Sequence, residues 1–174
     1  MTEKPTNKTN SIPHLLKASD IEAMPEKMKV HPINKEAVRH TKFLSDALEM
    51  KNLGIRLVRV EPGKETTQFH FHYHEEEFIY IISGKGIAQI GEQEIEIAAG
   101  DFMGFTAPSL PHAMKNTSDE DLVYLMGGER NNFDIADYPK TEQRLIRFNG
   151  ERKLVDWQDL KEFRKVPEED CPRN

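Results

Sequence analysis

The chain has 174 residues, of which 37% are hydrophobic and 31% charged, enough apolar material for one domain under a strongly polar surface. Its formal net charge of −6 argues against a nucleic-acid backbone as partner, which calls for a basic patch. A single cysteine, Cys171, rules out an intramolecular disulfide, and no apolar run approaches the ~18 residues that span a bilayer, so no membrane partner is expected.

Residues 1–12 are polar, read as loose, and lack the apolar core of a secretory signal, so a cytoplasmic protein is expected. Pro13, Pro25 and Pro32 discourage a long helix. A short one over 19–24 is expected, capped by Ser19 or Asp20. This N-terminal extension, 1–34, leaves little room for a packed helical DNA reader. Over 35–52, Phe43-Leu44 and Ala47-Leu48 fit either a short helix or an irregular edge. Residues 54–61 read as a strand, with Ile55 and Leu57 on one face and Arg56, Val58 and Val60 on the other. Pro62-Gly63 ends it.

The next stretch carries the chemistry. His70, His72 and His74 alternate, Glu75-Glu76-Glu77 follow, and an apolar run leads to Gly84. In a strand, alternate residues share a face. Residues 66–74 and 78–83 read as two strands about the glutamate bend. Imidazoles converging with a carboxylate suit first-row transition metals. From the residues alone, a 70/72/74 histidine set and a set that uses a glutamate both stand.

Residues 87–90 and 95–98 form a hairpin signal around 91–94. Strands are expected over 102–106, 112–116 and 122–126, and the turn at Ala99-Gly100-Asp101 is the expected work of Asp101. Short strands at such spacing point to an antiparallel sandwich or small barrel. Beyond Gly127-Gly128 the chain turns polar. Residues 145–148 fit an added strand, and 153–165 a short amphipathic helix carrying Leu154, Trp157, Leu160 and Phe163.

Two blocks resemble the paired motifs of the cupin superfamily. In the first, Gly63 precedes His70-Phe71-His72 by six residues, one more than the family spacing. Four residues then lead to Glu77 and six more to Gly84. In the second, Gly100 is followed by Thr106 and Pro108, where the family has proline and glycine. Three residues separate His112 from Asn116, as in the family, but His112 comes one residue late. Ser83-Gly84-Lys85-Gly86, Gly127-Gly128-Glu129-Arg130 and Asp137-Tyr138-Pro139 further resemble a group of single-domain cupins with no settled function.

The resemblance implies an all-β fold: an antiparallel double-sheet jelly-roll barrel over 35–128. Short helical or irregular extensions flank it, that over 129–174 packing on the barrel. It implies one divalent transition metal per chain (Fe, Mn, Zn or Ni) held by His70, His72, Glu77 and His112. Tyr80 has the parity opposite Glu77 and is not expected to act as an acid. The expected function is that of a metal-dependent enzyme on a small oxygen-rich molecule, of dioxygenase, isomerase or decarboxylase type. The alternative is a non-catalytic barrel that binds a metal or small ligand, as a sensor or assembly module. A sugar-nucleotide epimerase needs a His–Tyr pair that the sequence does not place. Small cupins resemble proteins that cover a sheet edge with a partner's strand, here 35–50. A homodimer is therefore expected, and sedimentation near 20.1 kDa would count against it.

Overall fold

The computed structural model describes residues 14–162, so the readings of residues 1–12 and Cys171 lie outside the described residues. A short helix, α1 (Ala18–Ala23), opens the fold. Asp20 serves it from the first turn, its carboxylate accepting the Lys17 amide at 2.9 Å. Strands β1 (Lys27–His31) and β2 (Asn34–Phe43) follow as an antiparallel hairpin. Pro32 sits in the turn between them, where a missing amide costs nothing, so it separates two strands rather than breaking one element. A single turn, α2 (Leu44–Ala47), leads to β3 (Leu53–Val60).

The remaining strands run in quick succession: β4 (Phe71–His72), β5 (Glu77–Ser83), β6 (Lys85–Ile90), β7 (Gln93–Ala98), β8 (Phe102–Phe105), β9 (His112–Lys115), β10 (Leu122–Glu129), β11 (Phe133–Tyr138), β12 (Gln143–Phe148) and β13 (Glu151–Asp156). One sheet has the order β1-β2-β3-β10-β5-β8. Facing it are a three-stranded sheet, β7-β6-β9, and a four-stranded one, β13-β12-β11-β4. A bridge between His70 and His112 joins these two side by side. All the strand pairings are antiparallel, as the sequence led us to expect.

The space between the sheets is divided in two. Val58, Val60, Ile81 and Leu122 fill one part, Ile97 closes it from the facing sheet, and Tyr124 and Met114 belong both to it and to the wall of the second part. Burial of these apolar side chains is the main drive for the sandwich. The expected parity of β3 holds, since Val58 and Val60 are buried while Ile55 and Leu57 are half-exposed. The other part is an open cavity, lined on the same face of β3 by Arg56.

Two expected elements differ. Residues 66–74 are not a continuous strand, and only Phe71–His72 pairs regularly. The Thr66 hydroxyl accepts the Met114 amide at 3.0 Å, so a side chain takes over part of the ladder. Residues 151–156 are strand β13 rather than the start of a helix, and a 3₁₀ turn follows at Trp157–Asp159. Asn149-Gly150 decides this. Both residues have positive φ, 47° and 85°, the signature of a two-residue hairpin turn, and β13 folds back onto β12. The residues of the expected helix from Phe163 onward lie outside those described. The segment 35–50, expected to reach a partner, supplies β2 and pairs with β3 of its own chain.

Candidate metal centre

His70 and His112 face each other across an antiparallel pair. The His70 amide donates to His112 O at 3.2 Å, and the His112 amide returns the bond at 2.8 Å. Directly opposed residues project from the same face, so the two rings meet with centroids 5.0 Å apart. His72, two residues further along, keeps that face, and its ring lies 5.0 Å from His70. Glu77 comes from the facing sheet. It opens β5 with the parity of buried Ile79 and Ile81 and points back across the cavity.

The four side chains converge on one atom. Glu77 Oε2 lies 3.9 Å from His70 Nε2, 3.6 Å from His72 Nε2 and 3.5 Å from His112 Nε2. Donors bound to one ion at about 2.1 Å stand roughly 3.0–3.4 Å apart, so the contacts to Glu77 are slightly wider than those of a filled coordination shell. The donor atoms of His70, Glu77 and His112 all lie within 4.8 Å of one another, while His72 also groups with Glu75 and Asp134. In each histidine the other ring nitrogen is engaged. Nδ1 faces Gln68 O at 2.9 Å in His70, an Asp134 oxygen at 2.6 Å in His72 and Leu110 O at 3.3 Å in His112. These acceptors place the proton on Nδ1 and leave the Nε2 lone pair aimed inward, the arrangement of metal-ligating histidines.

The electrostatics fit a divalent cation. Burial would raise the Glu77 carboxyl, but His112, His72 and His70 hold it down at about 2. Burial brings His70 down to about 3, against the pull of Glu77. Burial also disfavours the His72 cation, yet the Asp134 hydrogen bond and the charges of Glu77, Asp134 and Glu75 outweigh it and raise its pKa. A divalent ion would satisfy these carboxylates without protonating the imidazoles, and the donor set fits such a group.

His74 is not part of this face. The chain bends at Tyr73-His74, which turns the His74 ring outward onto Phe133, with centroids 5.1 Å apart. Its amide instead donates to Asp134 Oδ1 at 3.2 Å. Tyr80 lies on the outer face, and Asp101 holds its turn by accepting the Ala98 amide at 2.7 Å. Of the aromatics near the motifs, Phe105 stacks on His112 with ring centroids 3.5 Å apart, while Phe102 is 65% exposed. Gly128 of β10 is what leaves room for Glu77: a Cβ there would lie 3.1 Å from Glu77 Cγ.

Sequence reasoning missed Asp134. It lies on β11, buried to 3% exposure, and also receives Arg147 at 3.6 Å. The residue order does alternate, with Asp134, Ala136 and Tyr138 on one face, but a carboxylate pointing inward masks the apolar period. Asp134→Asn should weaken metal binding about 10–100-fold, because the brace on His72 loses its charge. Competition with a chromogenic chelator would measure this, and an unchanged affinity would mean that Asp134 does not tune the ligand.

The four side chains sit in an open cavity of about 200 Å³. A small molecule can therefore approach them from solvent.

Comparison with known proteins follows the same lines. A family model described as "Cupin domain" matches residues 56–128. A crystal structure from Acidithiobacillus ferrooxidans, of a protein provisionally named a sugar phosphate isomerase, is 43% identical. The match covers 87% of this chain and 97% of that one, with a TM-score of 0.84. A sugar phosphate isomerase of cupin type from Silicibacter pomeroyi superposes with a TM-score of 0.73 over 83% of this chain and 94% of its own. At 22% identity it shows the fold alone. An uncharacterized protein of Methanocaldococcus jannaschii is 30% identical over 66 residues, 38% of this chain, which spans about half (52%) of that relative's length.

Proposed function

The chain belongs to the cupin superfamily, and on that premise we propose that it is a metal-dependent enzyme of the isomerase type acting on a small oxygen-rich molecule. The observation that carries the reading is the convergence of three Nε2 atoms on Glu77 in a cavity open to solvent. A closed four-ligand cage would favour a structural ion, whereas open positions favour chemistry. The strong likeness to the Acidithiobacillus ferrooxidans protein favours isomerisation over the dioxygenase and decarboxylase types.

A divalent ion held by His70, His72, Glu77 and His112 would supply a Lewis acid that draws electron density from a substrate carbonyl. The chain's own residues do the rest. Arg147, paired with Glu75 and Asp134, offsets the buried negative charge behind His72. Burial pushes the Tyr124 hydroxyl up to about 12, so it stays protonated and able to donate into the cavity. A small-molecule ligand is the expected partner of the cavity, and a second copy of the chain the expected partner of the fold.

Proton exchange tests the reading. Metal-loaded protein in D₂O should exchange the hydrogen beside the carbonyl of small hydroxy-aldehydes and hydroxy-ketones, read by NMR, and His70→Ala should abolish it. A fully metal-loaded protein that exchanges nothing across such a panel would leave the non-catalytic binding barrel as the better reading.

A further inference from the structure

We propose that Arg39, Arg56 and Arg152 form an anion subsite in the same cavity, one that takes the phosphate group of a small phosphorylated ligand whose other end reaches the metal centre. The second half of that statement rests on the proposed function, while the first half stands on the arginines themselves.

Five arginines line the cavity: Arg39, Arg56, Arg130, Arg147 and Arg152. Two are neutralised. Arg130 pairs with Asp46, and Arg147 with Glu75 and Asp134. Among the described residues, no carboxylate forms an ion pair with Arg39, Arg56 or Arg152. Arg56 Nε is buried and makes no hydrogen bond. An uncompensated buried donor of this kind is costly and calls for an explanation.

The three come from two facing sheets. Arg39 lies on β2 with the parity of buried Ala37 and Thr41. Arg56 lies on β3 with the parity of Val58 and Val60. Arg152 lies on β13, directly opposite Arg147 of the neighbouring strand. Their fields overlap. Lys29 is lowered by burial and then by Arg56, Arg39 and Arg152, and Arg56 is lowered by burial and then by Arg39 and Arg130, against the weaker pull of Asp46 and Glu77. The Phe43 ring lies 5.6 Å from the Arg56 guanidinium and 4.8 Å from Lys29 Nζ. A ring face attracts these cations but neutralises none of them. Unmatched positive charge is the exception in a chain whose formal net charge is −6.

The number of cations selects the ligand. A monocarboxylate has one charge and two acceptor oxygens, which a single bidentate arginine satisfies. Three guanidiniums without a carboxylate partner match a dianion with three terminal oxygens, as in a phosphate monoester.

The probe is inorganic phosphate, titrated calorimetrically into the metal-loaded protein, with metal content measured on every sample. Arg56→Met and Arg152→Met should each weaken phosphate binding about ten- to hundredfold and leave metal content unchanged. Lys153→Met, an exposed neighbour, should change neither. Should Arg56→Met fold poorly, Arg152→Met carries the test alone, since that side chain lies at the exposed outer strand. Phosphate binding that survives both substitutions would overturn the subsite, as would acetate binding as tightly as phosphate. A protein that holds no metal but loses phosphate in the arginine variants would keep the subsite and sink the metal-centred function instead.

Discussion

His112→Ala should lower metal affinity at least about a hundredfold, a larger loss than expected for a bracing residue. The reason is geometric. His112 is the nearest of the three imidazoles to Glu77 Oε2, at 3.5 Å, and its position is set by a backbone pair with His70. Its ring also packs against Phe105, so the substitution removes core contact as well as a ligand. The two effects separate by measurement. Metal content by mass spectrometry, on protein purified without chelator, reads the ligand, and the melting temperature of the metal-free protein reads the packing. His70→Ala should empty the site in the same way. His74→Ala should leave about one equivalent per chain, because that ring stands on the outer surface against Phe133. An empty site in His74→Ala beside a full one in His112→Ala would show the ligand set to be wrong.

Gly84→Ala should destabilise the fold by about 3 kcal/mol, measured by urea unfolding. Gly84 turns the chain from β5 into β6 at a φ of +80°, which costs any residue with a Cβ roughly 1–2 kcal/mol. A Cβ there would also press into the Asp121 carbonyl oxygen and stand 3.0 Å from Leu122 Cα. Both are backbone atoms, and Leu122 is fully buried, so neither can swing aside. Gly63 supplies the comparison. Its φ is +76°, but a Cβ would meet nothing within 4 Å, so Gly63→Ala should show only the conformational cost of about 1 kcal/mol. Equal losses at the two positions would mean that the close approach to β10 is not what demands glycine at 84.

Much of the fold was legible in local pattern. The alternation at 54–60 placed Val58 and Val60 inside because strand parity is a property of neighbours in the chain. The hairpin of β6 and β7 followed from turn chemistry in the same way. The pattern failed where two local signals competed. Leu154 and Trp157 suggest a helix, but Asn149-Gly150 sets a hairpin, and the hairpin won because β12 offered a ladder to pair with. Pro25 and Pro32 hid the β1–β2 pair by suggesting breaks where the structure has a strand start and a turn.

By itself, the sequence determined the run of short antiparallel strands in the central region and the shared face of His70 and His72. Each rests on residues a few positions apart. Only the tertiary structure decided that His112 stands opposite His70, that Asp134 braces His72, and that Arg39, Arg56 and Arg152 line one cavity. These are contacts between strands far apart in the chain. They are fixed by which sheets face each other and in what register, and no spacing along a single segment encodes that.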